Sequence, residues 1–420
     1  MSSESANRND HRHRADEGTR GANRVAVTGY GALTPLGLGA EPTWSALRAG
    51  RSGIRHIGVD VADNAPVRIA GTIDPAYVEA VPVRERRRLD RAEQYTLLAG
   101  REAWAMAGRP EVDPDRLATS VGTAYGGIGS IGIQEHVRVT EGPRRVSPHL
   151  VTMLLPNGPA AWLSIELGAR AGAHAPTTAC AAGAQGLATG LDLIRAGRAD
   201  VVVAGGADAG VTPLSLTGFA QMRALSTNPD PAAASRPFDQ DRDGFVLAEG
   251  AVVLVLERED HARARGATVY GYLDGASVTS DGRDIVNADP ANQARTITAA
   301  LRDADAGPAD VGLVHAHATS TPAGDRNESD ALTGAGITAP VTATKSMTGH
   351  MLGASGAAGA LAALLALRDH VIPPTVNTEK VDPEIPHDVV TEARRTDADL
   401  ALVNSFGFGG HNVALVVRSR

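Results

Sequence analysis

The sequence has a single cysteine, Cys180, among 420 residues. One cysteine excludes a disulfide framework and any cysteine-built zinc site, and it suits a reducing cytosol. Aromatic side chains are also scarce, at 3 %, whereas glycine is plentiful at 47 residues. Such a chain packs by close approach of small residues, as tightly layered α/β proteins do. Positive charge is not in excess: a net charge of −8 argues against general affinity for nucleic acid. No apolar run reads as long enough to span a membrane. Residues 1 to about 23 lack large apolar residues and a signal-peptide core, so they read as a disordered leader. The His11-Arg-His13-Arg14 run inside it reads as solvated tail rather than a metal site, and no metal is expected elsewhere. Nothing addresses the protein outside the cell, and a cytoplasmic location is expected.

A chain of this length buries a large core, which implies two domains or one duplicated unit. Structure is expected to begin at Arg24-Val-Ala-Val-Thr-Gly, a short buried strand ending in a glycine turn. Further apolar strands are expected at 118–121, 200–204, 252–256, 311–314 and 401–403, alternating with helical patterns, the signature of a layered α/β protein. Several run straight into glycine or chemically active residues, as where sites form at the carboxyl ends of strands. The charged stretch Arg258-Glu-Asp-His-Ala-Arg-Ala-Arg-Gly reads as a helix end, with a boundary just after it that separates 24–265 from 266–420.

Cys180 lies in Thr177-Thr-Ala-Cys-Ala-Ala-Gly, where an extended run gives way to a small-residue helix carrying Leu187, Leu191 and Ile194 at helical spacing and stopping near Gly197. A thiol in the first turn feels the positive end of the helix dipole, which favours thiolate. Against this, a lone cysteine is more often a small buried hydrophobe. Three downstream segments bear on the choice. His315-Ala-His317-Ala-Thr-Ser-Thr-Pro-Ala-Gly-Asp-Arg-Asn-Glu328 follows a strand directly; Thr344-Lys345-Ser-Met-Thr-Gly-His350 precedes a run of small residues; Asn404-Ser-Phe-Gly-Phe408-Gly-Gly-His-Asn412 has glycines that free backbone N–H groups to face a ligand. Each alone has a structural explanation.

Together and in this order, these segments resemble the β-ketoacyl-acyl carrier protein synthases, in the elongating branch with two histidines (the synthase I/II type). The likeness runs from about Arg24 to Val417, includes Ser235-Arg-Pro-Phe-Asp-Gln-Asp-Arg-Asp-Gly-Phe, and in Gly142-Pro-Arg-Arg-Val-Ser-Pro looks actinobacterial. The resemblance implies a thiolase fold, with duplicated halves in a five-layered αβαβα sandwich: the nucleophile in the first half and both catalytic histidines in the second. It implies a decarboxylative Claisen condensation in which Cys180 takes an acyl group from a carrier protein and malonyl-acyl carrier protein extends it by two carbons. Phosphopantetheine arrives on the carrier, and no tightly bound cofactor is implied. The N–H groups of Cys180 and Phe408 match an oxyanion hole, with Phe408 also a gate. His317 and His350 match the pair that holds the malonyl thioester carbonyl as neutral imidazoles. Lys345 and Glu328 match a buried ordering pair, and Thr319 and Thr321 match contacts to the pantetheine arm. Phe219 and Phe245 match aromatics beside the acyl pocket, or ordinary core. Arg84, Arg87, Arg88, Arg144, Arg145 and Arg223 match a basic patch that receives the acidic carrier protein. A homodimer is implied, with 133–152 contributing to the interface.

The sequence departs from the family pattern in several places. Ala318 stands where glycine usually follows the catalytic histidine, and His315 where asparagine is common; the Thr-Ser-Thr register favours His317 over His315 as catalytic. Ser280-Asp-Gly-Arg-Asp-Ile-Val puts Asp284 where relatives carry a histidine near the pantetheine channel. Tyr125, in Gly122-Thr-Ala-Tyr-Gly-Gly, stands where a smaller aliphatic residue is usual. It either shortens the acyl pocket in favour of short or functionalised primers, or lies aside with its hydroxyl bonded elsewhere. A thiolase is expected to carry a second catalytic cysteine, a chain-initiating synthase only one histidine with an asparagine, and a polyketide chain-length factor no nucleophile; all three fit poorly. A ketosynthase of a type II polyketide or other natural-product pathway, acting as a heterodimer, and an inhibitor-resistant duplicate of the housekeeping enzyme share all these motifs.

Overall fold

The computed structural model describes residues 24–58 and 64–420. The leader expected over 1–23 lies outside the described residues. The first half contains strands β1 (Val25–Thr34), β2 (Leu117–Gly122), β3 (Ala173–His174), β4 (Val201–Asp208) and β5 (Gly250–Arg258), with helices α1 (Arg91–Met106), α2 (Gly158–Leu167) and α3 (Ala182–Arg195). The second half contains β6 (Gly271–Ser280), β7 (Leu313–His315), β8 (Val341–Thr342), β9 (Leu400–Gly407) and β10 (His411–Arg418), with α4 (Pro290–Asp303), α5 (Pro322–Gly334) and α6 (Ser355–Asp369).

These strands join in one sheet, ordered β8-β7-β9-β10-β6-β1-β5-β4-β2-β3, with Gly37–Leu38 paired onto β1. The order hides a repeat. Outward from the β1–β6 seam, each half runs through two antiparallel pairings and then two parallel ones: β1-β5-β4-β2-β3 on one side, β6-β10-β9-β7-β8 on the other. The seam is antiparallel, pairing Val25 with Leu273. Helices α1 and α2 cover the outside of the first half, α4 packs on the second with α5 beside it, and α3 and α6 pack on each other in the middle. This is the αβαβα sandwich of the thiolase fold, and the duplication is visible in its strand order.

The central layer corrects one expectation. Residues Leu352–Asp369 are apolar and long enough, by composition, to cross a membrane. Of that stretch 83 % is buried within the protein, because α6 is covered by a sheet on both sides and by α3 along its length. The expectation that no such run exists does not hold: the run is the core helix. A second correction concerns β1, which does not end in a turn at Gly29 but continues to Thr34. A Cβ at Gly31 would stand 2.0 Å from the Ala99 carbonyl oxygen of α1, and one at Gly29 would stand 2.3 Å from that of Ala103. These glycines let helix and strand backbones touch, a packing role that reads from sequence like a turn signal.

The charged stretch after β5 forms helix Glu259–Ala264 and ends at Gly266, whose φ of +69° suits glycine. α3 stops at Arg195 before Gly197, also at positive φ, where the leucine spacing places its end.

Candidate active site

Cys180 occupies a one-turn 3-10 segment, Ala179–Ala181, that feeds directly into α3. Ala179 holds a φ of +50°, a conformation that costs a non-glycine residue about 1–3 kcal/mol and is tolerated where the surroundings enforce it. The enforcement comes from β9: Ser405 Oγ donates to the Cys180 carbonyl at 3.0 Å, and Gly407 lies so close that a Cβ there would stand 2.5 Å from the Thr178 carbonyl oxygen. Beyond Gly407 the chain turns through Phe408, Gly409 and Gly410, the last two at positive φ, and this loop places Phe408 beside Cys180 in the cavity lining, where its N–H and that of Cys180 itself favour negative charge on the sulphur. The two donors expected of an oxyanion hole therefore lie on the same side of the cavity as the thiol.

The two histidines reach the same cavity from the second half. His317 follows β7, and its main chain is gripped on both sides. Its N–H donates to Glu328 Oε1 at 2.8 Å, the Ala318 N–H donates to Glu328 Oε2 at 2.6 Å, and Lys345 Nζ donates to the His317 carbonyl at 2.5 Å. Asn404 Nδ2 also donates to Glu328 Oε1, at 3.0 Å. Lys345 and Glu328 make no direct ion pair; each clamps the backbone of His317. His350 is held by Ser355, the first residue of α6, through Nδ1 to Oγ at 2.9 Å. The two imidazole rings stand edge to face, 5.5 Å between centroids, in a row that continues through Phe245 (5.4 Å from His350) to Phe219 (5.0 Å from Phe245).

Burial governs the charges here. It holds the His317 and His350 imidazolium forms far below the usual histidine range, with the Lys345 ammonium adding to the effect, so both rings are neutral at pH 7. Burial likewise lowers Lys345 to about 8, opposed by Glu328, whose own carboxyl is raised. The thiol is the surprise. Burial pushes Cys180 up to about 12, and the nearby Lys345 and the two N–H donors only moderate it. The helix terminus does not deliver a resting thiolate; desolvation outweighs it. Cys180 is nonetheless partly uncovered, because it faces a cavity.

That cavity, about 130 Å³, is lined by Cys180, His317, His350, Phe219, Phe245, Phe408, Thr319 and Thr321 among others. Thr319 and Thr321 share a hydroxyl–hydroxyl hydrogen bond of 3.1 Å. His315, by contrast, is packed under α6 with Nε2 on Thr344 Oγ1 at 2.8 Å and does not reach the cavity, which agrees with the register argument for His317. Tyr125 is not on the cavity wall either. Its ring lies behind, 6.3 Å from that of Phe219, in the apolar cluster that also holds Leu216 and Cys180. Among the described residues no hydrogen bond to its hydroxyl is seen. Asp284 is exposed and accepts the N–H groups of Val286 and Asn287, making a turn at the cavity mouth rather than a substrate contact. Its neighbour Asp281 lines the cavity instead.

The six arginines are all exposed but lie on separate segments: Arg84, Arg87 and Arg88 on and after helix Val83–Arg86, Arg144 and Arg145 in a 3-10 turn, and Arg223 after helix Pro213–Gln221. Only Arg145 has an ion-pair partner among the described residues, Glu141 at 3.5 Å.

Three residues behind this site carry no mark that the sequence reading recognises. Asp208, at the end of β4, accepts the N–H groups of Ala124, Tyr125 and Gly353 and so ties the loop after β2 and the turn before α6 to the end of β4. Ser355 orients His350, and Asn404 orients Glu328. Asp208 follows a strand and a glycine pair, a pattern that could have marked it; Ser355 and Asn404 have no local signal.

A family model described as beta-ketoacyl synthase, N-terminal domain, matches residues 22–262, and one described as beta-ketoacyl synthase, C-terminal domain, matches residues 270–379. The chain belongs to the β-ketoacyl synthase family. Among named synthases, it is 42 % identical over 400 residues to 3-oxoacyl-[acyl-carrier-protein] synthase 2 of Mycobacterium tuberculosis, covering 93 % of this chain and 96 % of that one. It is 39 % identical over 405 residues to the Staphylococcus aureus protein of the same name, covering 94 % and 98 %. Of solved ketosynthases, the ishigamide ketosynthase/chain length factor superposes with a TM-score of 0.89 at 34 % identity, over 95 % of this chain and all of that one. A beta-ketoacyl synthase from Burkholderia phymatum gives 0.88 at 31 %, again over 95 % of this chain and all of that one.

Proposed function

We propose that the chain is a 3-oxoacyl-acyl carrier protein synthase that catalyses the elongating condensation of type II fatty acid synthesis. The observation that carries this reading is the convergence of Cys180, His317 and His350 on one cavity with both imidazoles neutral. The names of the full-length relatives support it.

Cys180 attacks the thioester of a carrier-bound acyl group. The carbon–sulphur bond to phosphopantetheine breaks, the acyl–Cys180 bond forms, and the thiol proton leaves with the departing phosphopantetheine thiol, because the resting Cys180 thiol keeps its proton until the attack. The N–H groups of Cys180 and Phe408 hold the carbonyl oxygen as it gains charge. The malonyl-carrier protein then threads its arm along Thr319 and Thr321. The step uses the His350 tautomer in which Ser355 Oγ donates to Nδ1, so that the Nε2 hydrogen, with His317, holds the malonyl thioester carbonyl. The bond to the carboxylate breaks, carbon dioxide leaves, and the electron pair remains as an enolate. Its carbon attacks the acyl carbonyl, the oxyanion collapses, and the Cys180 thiolate departs and regains a proton. The product is a 3-oxoacyl-carrier protein longer by two carbons. Glu328 and Lys345 keep His317 in register for this step.

Tyr125 closes the apolar end of the site behind Phe219 and favours short or functionalised acyl groups. The carrier protein docks on the exposed arginines, and the protein works in the cytoplasm as a homodimer. Ile131, Ile133, Val139 and Val151 support the dimer: they are exposed apolar residues on one stretch, with Ile133 62 % exposed. A second reading, the ketosynthase of a type II polyketide or other natural-product pathway, is supported by the superposition on the ishigamide protein and by the altered mouth around Asp284.

The test is a condensation assay with hexanoyl- and malonyl-carrier proteins. The 3-oxo-octanoyl carrier protein is expected from the wild type, and acylation without condensation from His317→Ala. Condensation by Cys180→Ala at the wild-type rate would refute the reading.

A further inference from the structure

Three residues lining the cavity carry a buried side-chain atom without any hydrogen-bond partner among the described residues: His317 at Nδ1, His350 at Nε2 and Gln293 at Oε1. The first two are the imidazoles that act on substrate in the function proposed above. Gln293 shows the same signature, yet neither the condensation chemistry nor the motifs shared with the synthases give it a task.

Gln293 lies in the first turns of α4 and is only 2 % exposed. A buried amide carbonyl without a partner costs about 1–3 kcal/mol, and at a cavity wall a ligand can supply the missing bond. The surroundings hold it firmly. Asn292 donates to Asp281 Oδ1 at 2.7 Å and to Thr279 Oγ1, Asn412 donates to the same Asp281 oxygen at 2.6 Å, and the Asp289 N–H donates to Asp281 Oδ2 at 3.0 Å. These bonds pin the start of α4 to β6 and β10, and Gln293 with it. The company it keeps along the cavity narrows the ligand. Gln293 lines the same cavity as Thr319 and Thr321, the pair given to the arm above, and as Val286 and Ala288 of the loop after β6.

We infer that Gln293 is a binding residue for the phosphopantetheine arm, its carbonyl accepting an amide N–H of the arm and its NH₂ group facing an arm carbonyl. An amide is the chemical match for an amide, offering one acceptor and two donors. The segment in which Asp284 stands where the family carries a histidine thereby gains a polar contact from the helix that follows. This inference rests on the synthase reading.

The experiment measures Cys180 acylation by intact-protein mass spectrometry with two donors, hexanoyl-pantetheine and the hexanoyl thioester of 2-mercaptoethanol, which has no amide. In both, the donor carbon–sulphur bond breaks, the acyl group moves to Cys180, and the thiol proton leaves with the released thiol. Gln293→Met keeps length and shape but not the amide. It is expected to slow acylation by the pantetheine donor about tenfold, the worth of one hydrogen bond, while leaving the mercaptoethanol donor within about twofold. Gln293→Glu, which keeps an acceptor oxygen, should retain more of the pantetheine-specific rate than Gln293→Met. Equal rates for wild type and Gln293→Met with pantetheine, equal losses with both donors, or the reverse order of the two variants would overturn the inference and leave the synthase reading intact. Failure of the wild type to be acylated by either donor would overturn the synthase reading, and this inference with it.

Discussion

At the scale of the residue, Cys180 shows how far a local argument reaches. Its place at a helix start is legible from the small residues around it, and the dipole argument follows from that place. Desolvation is not legible, because the groups that enclose the thiol come from β9, the Phe408 loop and α6, far away in sequence. The consequence is measurable. With the thiol raised to about 12, the thiolate fraction grows with each pH unit up to that value, so iodoacetamide alkylation of Cys180 should rise about tenfold per unit from pH 7 to 10 without a plateau. A plateau near neutrality would mean that the helix terminus and Lys345 win over burial. Ser355 offers a second prediction. Ser355→Ala removes the bond to His350 Nδ1 and should lower the condensation rate about tenfold while Cys180 acylation is unchanged. Equal loss in both steps would assign Ser355 to the fold alone. Tyr125 offers a third: Tyr125→Ala should raise acylation by dodecanoyl- relative to hexanoyl-carrier protein, and an unchanged ratio would place the end of the acyl pocket elsewhere.

At the scale of the element, the strands ending at the site are readable because each is a short apolar run stopping at a chemically distinctive residue, as β7 does at His315. β6 and β10 carry no such mark. β6 mixes Gly, Asp, Ser and Thr with few apolar residues, and β10 follows so closely on Gly409-Gly410 that it merges with the loop. Their partners, β1 and β9, include one at long sequence separation, so the pairing that defines β6 in particular is tertiary. β1 reads as too short because Gly29 and Gly31 look like a turn, when both serve contact with α1. Gly31→Ala should therefore destabilise the protein by roughly 1–3 kcal/mol in a denaturation experiment, because its Cβ meets the Ala99 carbonyl. Gly218→Ala, in helix Pro213–Gln221 with nothing near the new Cβ, should be neutral or slightly stabilising. Comparable losses at both positions would show that backbone freedom, and not close packing, is what glycine supplies to β1.

At the scale of the whole molecule, the duplication explains why the site sits where it does. Equivalent strand ends of the two halves, with the starts of α3 and α6 between them, meet at one end of the sandwich. There one half supplies the nucleophile and the other the histidines. A layered α/β fold can be read from alternating patterns, but the internal repeat cannot, since the halves share strand order and not an evident sequence repeat. The exposed apolar stretch around Ile133 belongs to this scale too. Sedimentation of the wild type is expected at twice the 43.2 kDa chain mass, and Ile133→Asp should shift it toward the monomer; a wild-type monomer would contradict the dimer. The central claim is covalent catalysis at Cys180, and intact-protein mass spectrometry after incubation with acyl-carrier proteins of graded chain length tests it most directly. The account predicts one acyl adduct on the wild type, strongest with short chains, and none on Cys180→Ala. No adduct with any chain, or an adduct that persists in Cys180→Ala, would contradict it.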